Sequence, residues 1–139
     1  DEVVESVDNR FYWSKGVERS LTDILVTDEK GEKVIDPITG EQMVQTGLKT
    51  QYIAQTKQTA NDLMKSSDWM IIRNAEKSTA IPEATTKFRD SVRTACATIE
   101  TAINNASNMT EFQALFDAPV DKDGIPTGNN APIYDFPKE

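Results

Sequence analysis

The 139-residue sequence has no histidine. That removes Ser–His and Cys–His nucleophile pairs and every imidazole metal ligand. The one cysteine, Cys96, excludes an intrachain disulfide and a thiolate-rich zinc site, and it fits a reducing compartment. Neither G-x-G-x-x-G nor G-x-x-x-x-G-K-[ST] occurs, so the common phosphate-binding loops are missing. Lys and Arg form no run, and the formal net charge is −8. Nucleic acid and anionic membrane surfaces are disfavoured partners on that balance. No apolar run approaches the length of a membrane span, and no signal-peptide pattern opens the chain. Apolar residues make up 37% of the chain, low for a globular domain. Either the fold is partly extended or a partner completes its apolar surface.

What is present divides into four stretches. Residues 1–19 read as an extended N-terminal arm. It is acidic and polar over residues 1–10, with Val3, Val4 and Val7 the apolar exceptions, and it then carries Phe11-Tyr12-Trp13. Three consecutive aromatics favour an extended backbone, apolar on both faces, that packs on this chain or on a neighbour. Residues 20–46 read as a β-meander. Leu21, Ile24 and Val26 precede a turn at Asp28-Glu29-Lys30-Gly31, and Val34-Ile35 follows it. Asp36-Pro37-Ile38-Thr39-Gly40 makes a second turn before Met43-Val44.

At Gly47 the apolar period changes to that of a helix. Residues 47–116 read as a helical domain. The first helix has its stripe at Tyr52, Ile53, Thr56, Ala60, Leu63 and Met64 and ends near Lys65-Ser66. Ser67 or Asp68 caps a second, short helix that breaks at Lys77-Ser78-Thr79. Pro82 in the first turn opens a third helix, with Ala84, Phe88, Val92, Ala95, Cys96, Ile99 and Ile103 inward. Glu83 and Lys87 form an i,i+4 pair on its outer side. Thr110-Glu111-Phe112-Gln113 has the spacing of a capping box for a last helix, with Met109 as the staple. Residues 117–139 hold four prolines and two glycines, and yet keep Val120, Ile125, Ile133, Tyr134 and Phe136. An extended C-terminal arm that docks on something and plain disorder are the two readings of that composition. The expected fold class is therefore α+β: a small N-terminal β-meander, then a three- to four-helix unit, with extended arms at both ends.

The carboxylates offer little chemistry. Glu29, Glu32, Asp36 and Glu41 sit on short turns beside lysines, where a solvated surface is the expectation rather than a glycosidase pair. Asp121-Lys122-Asp123-Gly124 opens like a calcium loop, but Pro132 occupies the position of the closing glutamate, so an ordinary turn is expected. Cys96 falls on the inward stripe and reads as a buried small hydrophobe. Trp69 reads as a core anchor at the joint between the first two helices, with an exposed partner-binding tryptophan as the alternative. Arg89 and Arg93 lie i,i+4 at the border of the buried face, where they repel each other unless a carboxylate intervenes. We expect them, with Arg73, to tie the helix joints to Asp68 and Glu76. No residue is expected to bind a cofactor or metal, and none forms a catalytic set.

The run from Lys57 to Ala102, with Leu63, Asp68-Trp69, Arg73, Glu76, Ile81-Pro82, Phe88-Arg89 and Val92-Arg93 at its marked positions, resembles a helical domain of tailed-phage tail and tail-fibre assembly chaperones. That group shows an aliphatic helix ending in Ser/Thr-Asp-Trp, a loop with proline, then an aromatic-x-x-x-aliphatic-Arg helix. Gly47-Leu48-Lys49 and the hairpins before it also look like the upstream part of such proteins. The resemblance covers about a third of the chain. Chaperone-like members commonly end near a Trp-Pro element. This chain has none there and continues into its proline-rich segment, which favours a version built into the particle. The resemblance implies a non-enzymatic virion component of the tail, baseplate or fibre-attachment region, assembled in the host cytoplasm, with other phage structural proteins or further copies of itself as partners. A soluble assembly chaperone absent from the finished particle is the alternative. On this reading Phe11, Tyr12, Trp13, Ile133, Tyr134 and Phe136 are the candidate partner-binding residues. Asp68, Trp69, Arg73, Glu76, Arg89 and Arg93 form the structural pivot.

Overall fold

The computed structural model describes residues 7–138, so Val3 and Val4 of the first arm lie outside the described residues. The architecture is α+β: two small antiparallel sheets come first and a helical unit follows. The chain forms two compact units, divided in sequence between Tyr52 and Ile53.

In the first unit the aromatic segment is extended, as its composition requires, but it is not a free arm. β1 (Tyr12–Ser14) pairs with β2 (Val17–Glu18) in a hairpin. Gly16, at a φ of 75°, supplies the left-handed turn that the hairpin needs. Phe11 is buried, Tyr12 half-buried and Trp13 exposed.

The meander region holds three segments. β3 (Ile24–Leu25) pairs with β4 (Val44–Gln45), Ile24 opposite Gln45 and Leu25 opposite Val44. Isolated bridges join Thr27 to Lys33 and Ile35 to Gln42. Both expected hairpins are there, but the first and third segments also pair. The three segments therefore close on one another. The Val34 N–H donates to the Val26 carbonyl at 3.1 Å, Val26 N–H to Met43 at 2.8 Å, and Met43 N–H to Val34 at 2.7 Å. Such a closed triangle satisfies backbone groups that a two-stranded ribbon leaves at its edges. It buries little: Val26 and Val34 are half-buried, whereas Leu25, Ile35, Ile38 and Val44 are exposed.

The turns of this region share one device. Asp28 Oδ1 accepts from the N–H groups of Lys30 and Glu32, each at 2.9 Å, while the Asp28 carbonyl accepts from Gly31 at 3.0 Å. Asp36 accepts from Ile38 at 2.8 Å, and its carbonyl from Gly40 at 2.9 Å. The aspartate side chain stands in for a backbone acceptor, and the glycine takes the left-handed position.

α1 (Leu48–Lys65) begins where that region ends. Its opening donors are met by specific acceptors: Leu48 N–H by the Ser20 carbonyl at 2.9 Å, Lys49 N–H by Leu21 at 3.0 Å, and Gly47 N–H by Asp23 Oδ1 at 2.7 Å. These are the groups that a helix start otherwise leaves unsatisfied. Gly47 has to be glycine, because a Cβ there would stand 2.4 Å from the Thr22 carbonyl carbon.

The second unit is built on α3 (Glu83–Asn105), with the rest of α1, α2 (Asp68–Lys77) and α4 (Met109–Ala114). Val92, Ile99 and Ile103 of α3 and Met109 and Phe112 of α4 are buried, as are Thr56 and Ala60 of α1. The expected stripe holds except at Ala84, which is exposed on the opening turn of α3. Pro82 is the N-cap of α3, with a ψ of 138°, one place before its expected position in the first turn. The capping box of α4 also sits two residues earlier than its spacing suggested. Asn108 is the N-cap, and its Oδ1 accepts from Glu111 N–H at 2.9 Å; Glu111 Oε2 reaches back to Ser107 N–H at 2.6 Å. Asn108-x-x-Glu111 satisfies the same spacing rule as the expected Thr110-x-x-Gln113. It wins by placing both Met109 and Phe112 inward.

The C-terminal segment is ordered, and it docks on its own unit. Asp121 repeats the turn device of Asp28, accepting on Oδ1 from Asp123 at 2.8 Å and Ile125 at 3.0 Å. A 3-10 turn, Pro132–Tyr134, then buries Ile133 and places its N–H 3.0 Å from the Leu115 carbonyl.

Candidate functional site

The joint between α1 and α2 is organised by one arginine. Arg89, on α3 and only 8% exposed, points its Nη1 at three acceptors: the Met64 carbonyl at 2.9 Å, Ser67 Oγ at 2.8 Å and Asp68 Oδ1 at 2.9 Å. Met64 lies in the last turn of α1, where carbonyls lack helical partners, and Asp68 opens α2. One guanidinium therefore closes the end of one helix against the start of the next. This is the expected role for Arg89. Arg93 does not share it. Its guanidinium pairs within its own helix, with Asp90 at 3.0 Å, and both side chains are more than half exposed. The i,i+4 repulsion is thus relieved along α3 and not across the joint. Glu76 is exposed and forms no ion pair among the described residues.

Trp69 overturns the expectation of a core anchor: it is 52% exposed. The inward side of α2 has room only for Met70 and Arg73, both half-buried, and no residue of this helix is fully buried. The Arg73 guanidinium lies 4.6 Å from the Trp69 ring centroid, in cation–π range, and its Nε is buried without a hydrogen-bond partner. Ile71 and Ile72 are exposed beside Trp69. Trp69 and Ile72, three residues apart, share one exposed side of the helix, whereas Ile71, two residues from Trp69, lies on another. Ile71 and Ile72 are apolar residues of the second helix in the sequence, but neither stands among the candidate site residues. The signal was the run Trp69-Met70-Ile71-Ile72, which is more apolar surface than one face of a short helix can bury.

The six candidate partner-binding residues separate by burial. Phe11 and Ile133 are core residues of their own units, and only their neighbours face outward. Trp13 is 53% exposed, with the Arg19 guanidinium 3.6 Å over its ring. Tyr134 is exposed on one side, and its ring meets Phe116 edge-on at 5.9 Å. Tyr12 and Phe136 are half-buried.

Among the described residues no cluster of three or more acidic or cysteine side chains could hold a metal ion, and no helix is long and apolar enough to cross a membrane. The Cys96 thiol, half-buried on α3, is pushed above its usual range by burial first and by the Glu100 carboxylate second, with Lys57 opposing. That keeps it protonated and a poor nucleophile. No protein-family model, no curated protein and no solved structure matches the chain.

Proposed function

We propose that the chain is a non-enzymatic structural protein of a tailed phage, in the tail, baseplate or fibre-attachment region, and that it works through subunit contacts. The observation that carries the reading is the α2 face: Trp69 and Ile72, one turn apart, are both more than half exposed on a helix with no buried residue. Tryptophan and arginine are the residues most enriched at the energetic centres of interfaces, and here Arg73 already holds the Trp69 ring. The same stretch carries the resemblance to the phage assembly group, at Asp68-Trp69, Arg73, Phe88-Arg89 and Val92-Arg93.

Mass spectrometry of purified particles, set against infected-cell lysate, tests the proposal. The expected result is stoichiometric presence in particles for the unmodified chain, and loss from particles for an Ile72→Asp chain that keeps its circular dichroism. Abundance in lysate with absence from particles replaces the proposal with the assembly-chaperone reading. Retention of the Ile72→Asp chain in particles removes α2 as the contact.

A further inference from the structure

The C-terminal segment combines a seated end with a bare connector. Every residue from 117 to 130 is exposed. The connector is folded back by a hairpin turn that buries nothing: Val120 bridges Pro126, yet Val120 and Ile125 are 56% and 58% exposed. The end beyond it is different. Ala131 and Ile133 are buried, the Ile133 N–H donates to Leu115, and Tyr134 meets Phe116. Cavities of about 460 and 520 Å³ lie along α3, the first lined also by Pro132 and Asp135 and the second by Ser66, Ser67 and Met70 together with Pro137 and Lys138. The segment is thus anchored at Ile133 and loosely packed along its flanks.

We infer that the seat on α3 and α4 is filled in trans by residues 131–137 of a second copy of this chain when copies are concentrated. The occupant is set by the structure itself, because the only segment known to fit the seat is the one in it. Exchange re-forms the same contacts with Leu115 and Phe116, so it sacrifices only the hairpin of the connector. Opened, residues 117–130 span roughly 45 Å at about 3.3 Å per residue, enough to reach a neighbour. Pro119 and Pro126 bias the residue before each away from helical backbone, a restriction met in the closed hairpin and in the opened connector alike. In dilute solution the freedom lost on association favours the closed monomer, and neighbours held together by an assembly reverse the balance. The inference does not depend on the particle in which the chain works.

The test uses the full chain in solution. Light scattering across a concentration series is expected to show monomer passing to dimer. Asp121→Ala, which removes the two hydrogen bonds that the Asp121 carboxylate accepts in the connector turn, is expected to raise the dimer constant by at least about five-fold. Crossed cysteines identify the exchanged segment. In a Cys96→Ser background, Thr94→Cys and Asp135→Cys line the same cavity. A chain carrying both is expected to be closed internally by a flexible bis-maleimide cross-linker, which bridges thiols across one cavity without the fixed geometry a disulfide needs. The same reagent added to a mixture of the two single variants is expected to give a covalent heterodimer. A chain that stays monomeric with no response to Asp121→Ala overturns the inference. So does a dimer in which the double variant closes internally but the mixed single variants never cross-link. Either failure leaves the proposed function open to its own test, because mass spectrometry of particles reads presence in the particle and not exchange of the C-terminal segment.

Discussion

Arg89 and Arg93 show how far apart two neighbouring residues of one type can stand. Arg89 holds three acceptors with a guanidinium almost out of water, whereas Arg93 pairs with Asp90 at the surface. Removing a buried hydrogen-bonded charge strands its partners, while a surface pair contributes little. Arg89→Met is therefore expected to cost about 2 kcal/mol in denaturant unfolding, since Ser67 stays buried while the Asp68 carboxylate is half exposed, and Arg93→Met less than about 0.5 kcal/mol. Equal losses would show that the joint does not depend on Arg89. Asp23 supplies a pH dependence. Its carboxyl is held below the usual range by the Gly47 N–H first and by the Thr50 hydroxyl second, with burial opposing. A carboxylate whose folded value is lowered stabilises the fold above its unfolded value, about 3.9, and that contribution fades as pH falls through the folded value. The gap in melting temperature between the native chain and Asp23→Ala is expected to be full at neutral pH and to narrow below about pH 4. A gap independent of pH would mean that the charge of Asp23 plays no part.

At the scale of elements, helices were the legible part. α1 ends at Lys65, α2 spans Asp68–Lys77 and α3 begins after Pro82, all within a residue or so of their period and punctuation signals. Burial was less legible, because a residue type reports only an average environment. Trp69 is the kind of side chain that usually goes inside, but the inward face of α2 is taken by Met70 and Arg73. The small sheet was legible as two turns and three apolar segments. Its closure was not, since the pairing of Val26 with Met43 links positions that no local signal relates. The docking of Ile133 on Leu115 is equally non-local, whereas the hairpin at Gly16 pairs near neighbours and had Gly16 as its local signal. The start of α1 gives a sharp prediction. Gly47→Ala drives a methyl into the Thr22 backbone at 2.4 Å, where nothing can rotate aside. It is expected to cost about 2 kcal/mol or more, by analogy with overpacked sites. Gly31→Ala, with open space around it, is expected to cost only the strain of its positive φ, about 1 kcal/mol. Thermal melts of the two variants decide between them, and a milder Gly47→Ala would show that the Thr22 segment yields.

For the whole molecule, the distribution of exposed apolar surface matters more than its total. The second unit has a continuous core around Val92, Ile103 and Phe112, whereas the sheet of the first leaves Leu25, Ile35, Ile38 and Val44 in water. Limited proteolysis with a broad-specificity enzyme should separate these levels of stability. The first cuts are expected within residues 117–130, with the fragment beyond them still bound through Ile133 in a non-denaturing separation. Cleavage inside α3 at the same rate would mean that the core is no more protected than the connector. The aspartate turn occurs three times among the described residues. At Asp28, Asp36 and Asp121 the loop is closed by the aspartate, the glycine and backbone groups, while Glu29, Pro37 and Lys122 at the tips remain exposed. Those tips are therefore free for variation or for grafted peptides. A library randomised at the three tips, with the aspartates and glycines kept, would present foreign sequences on this chain while leaving its folding instructions intact.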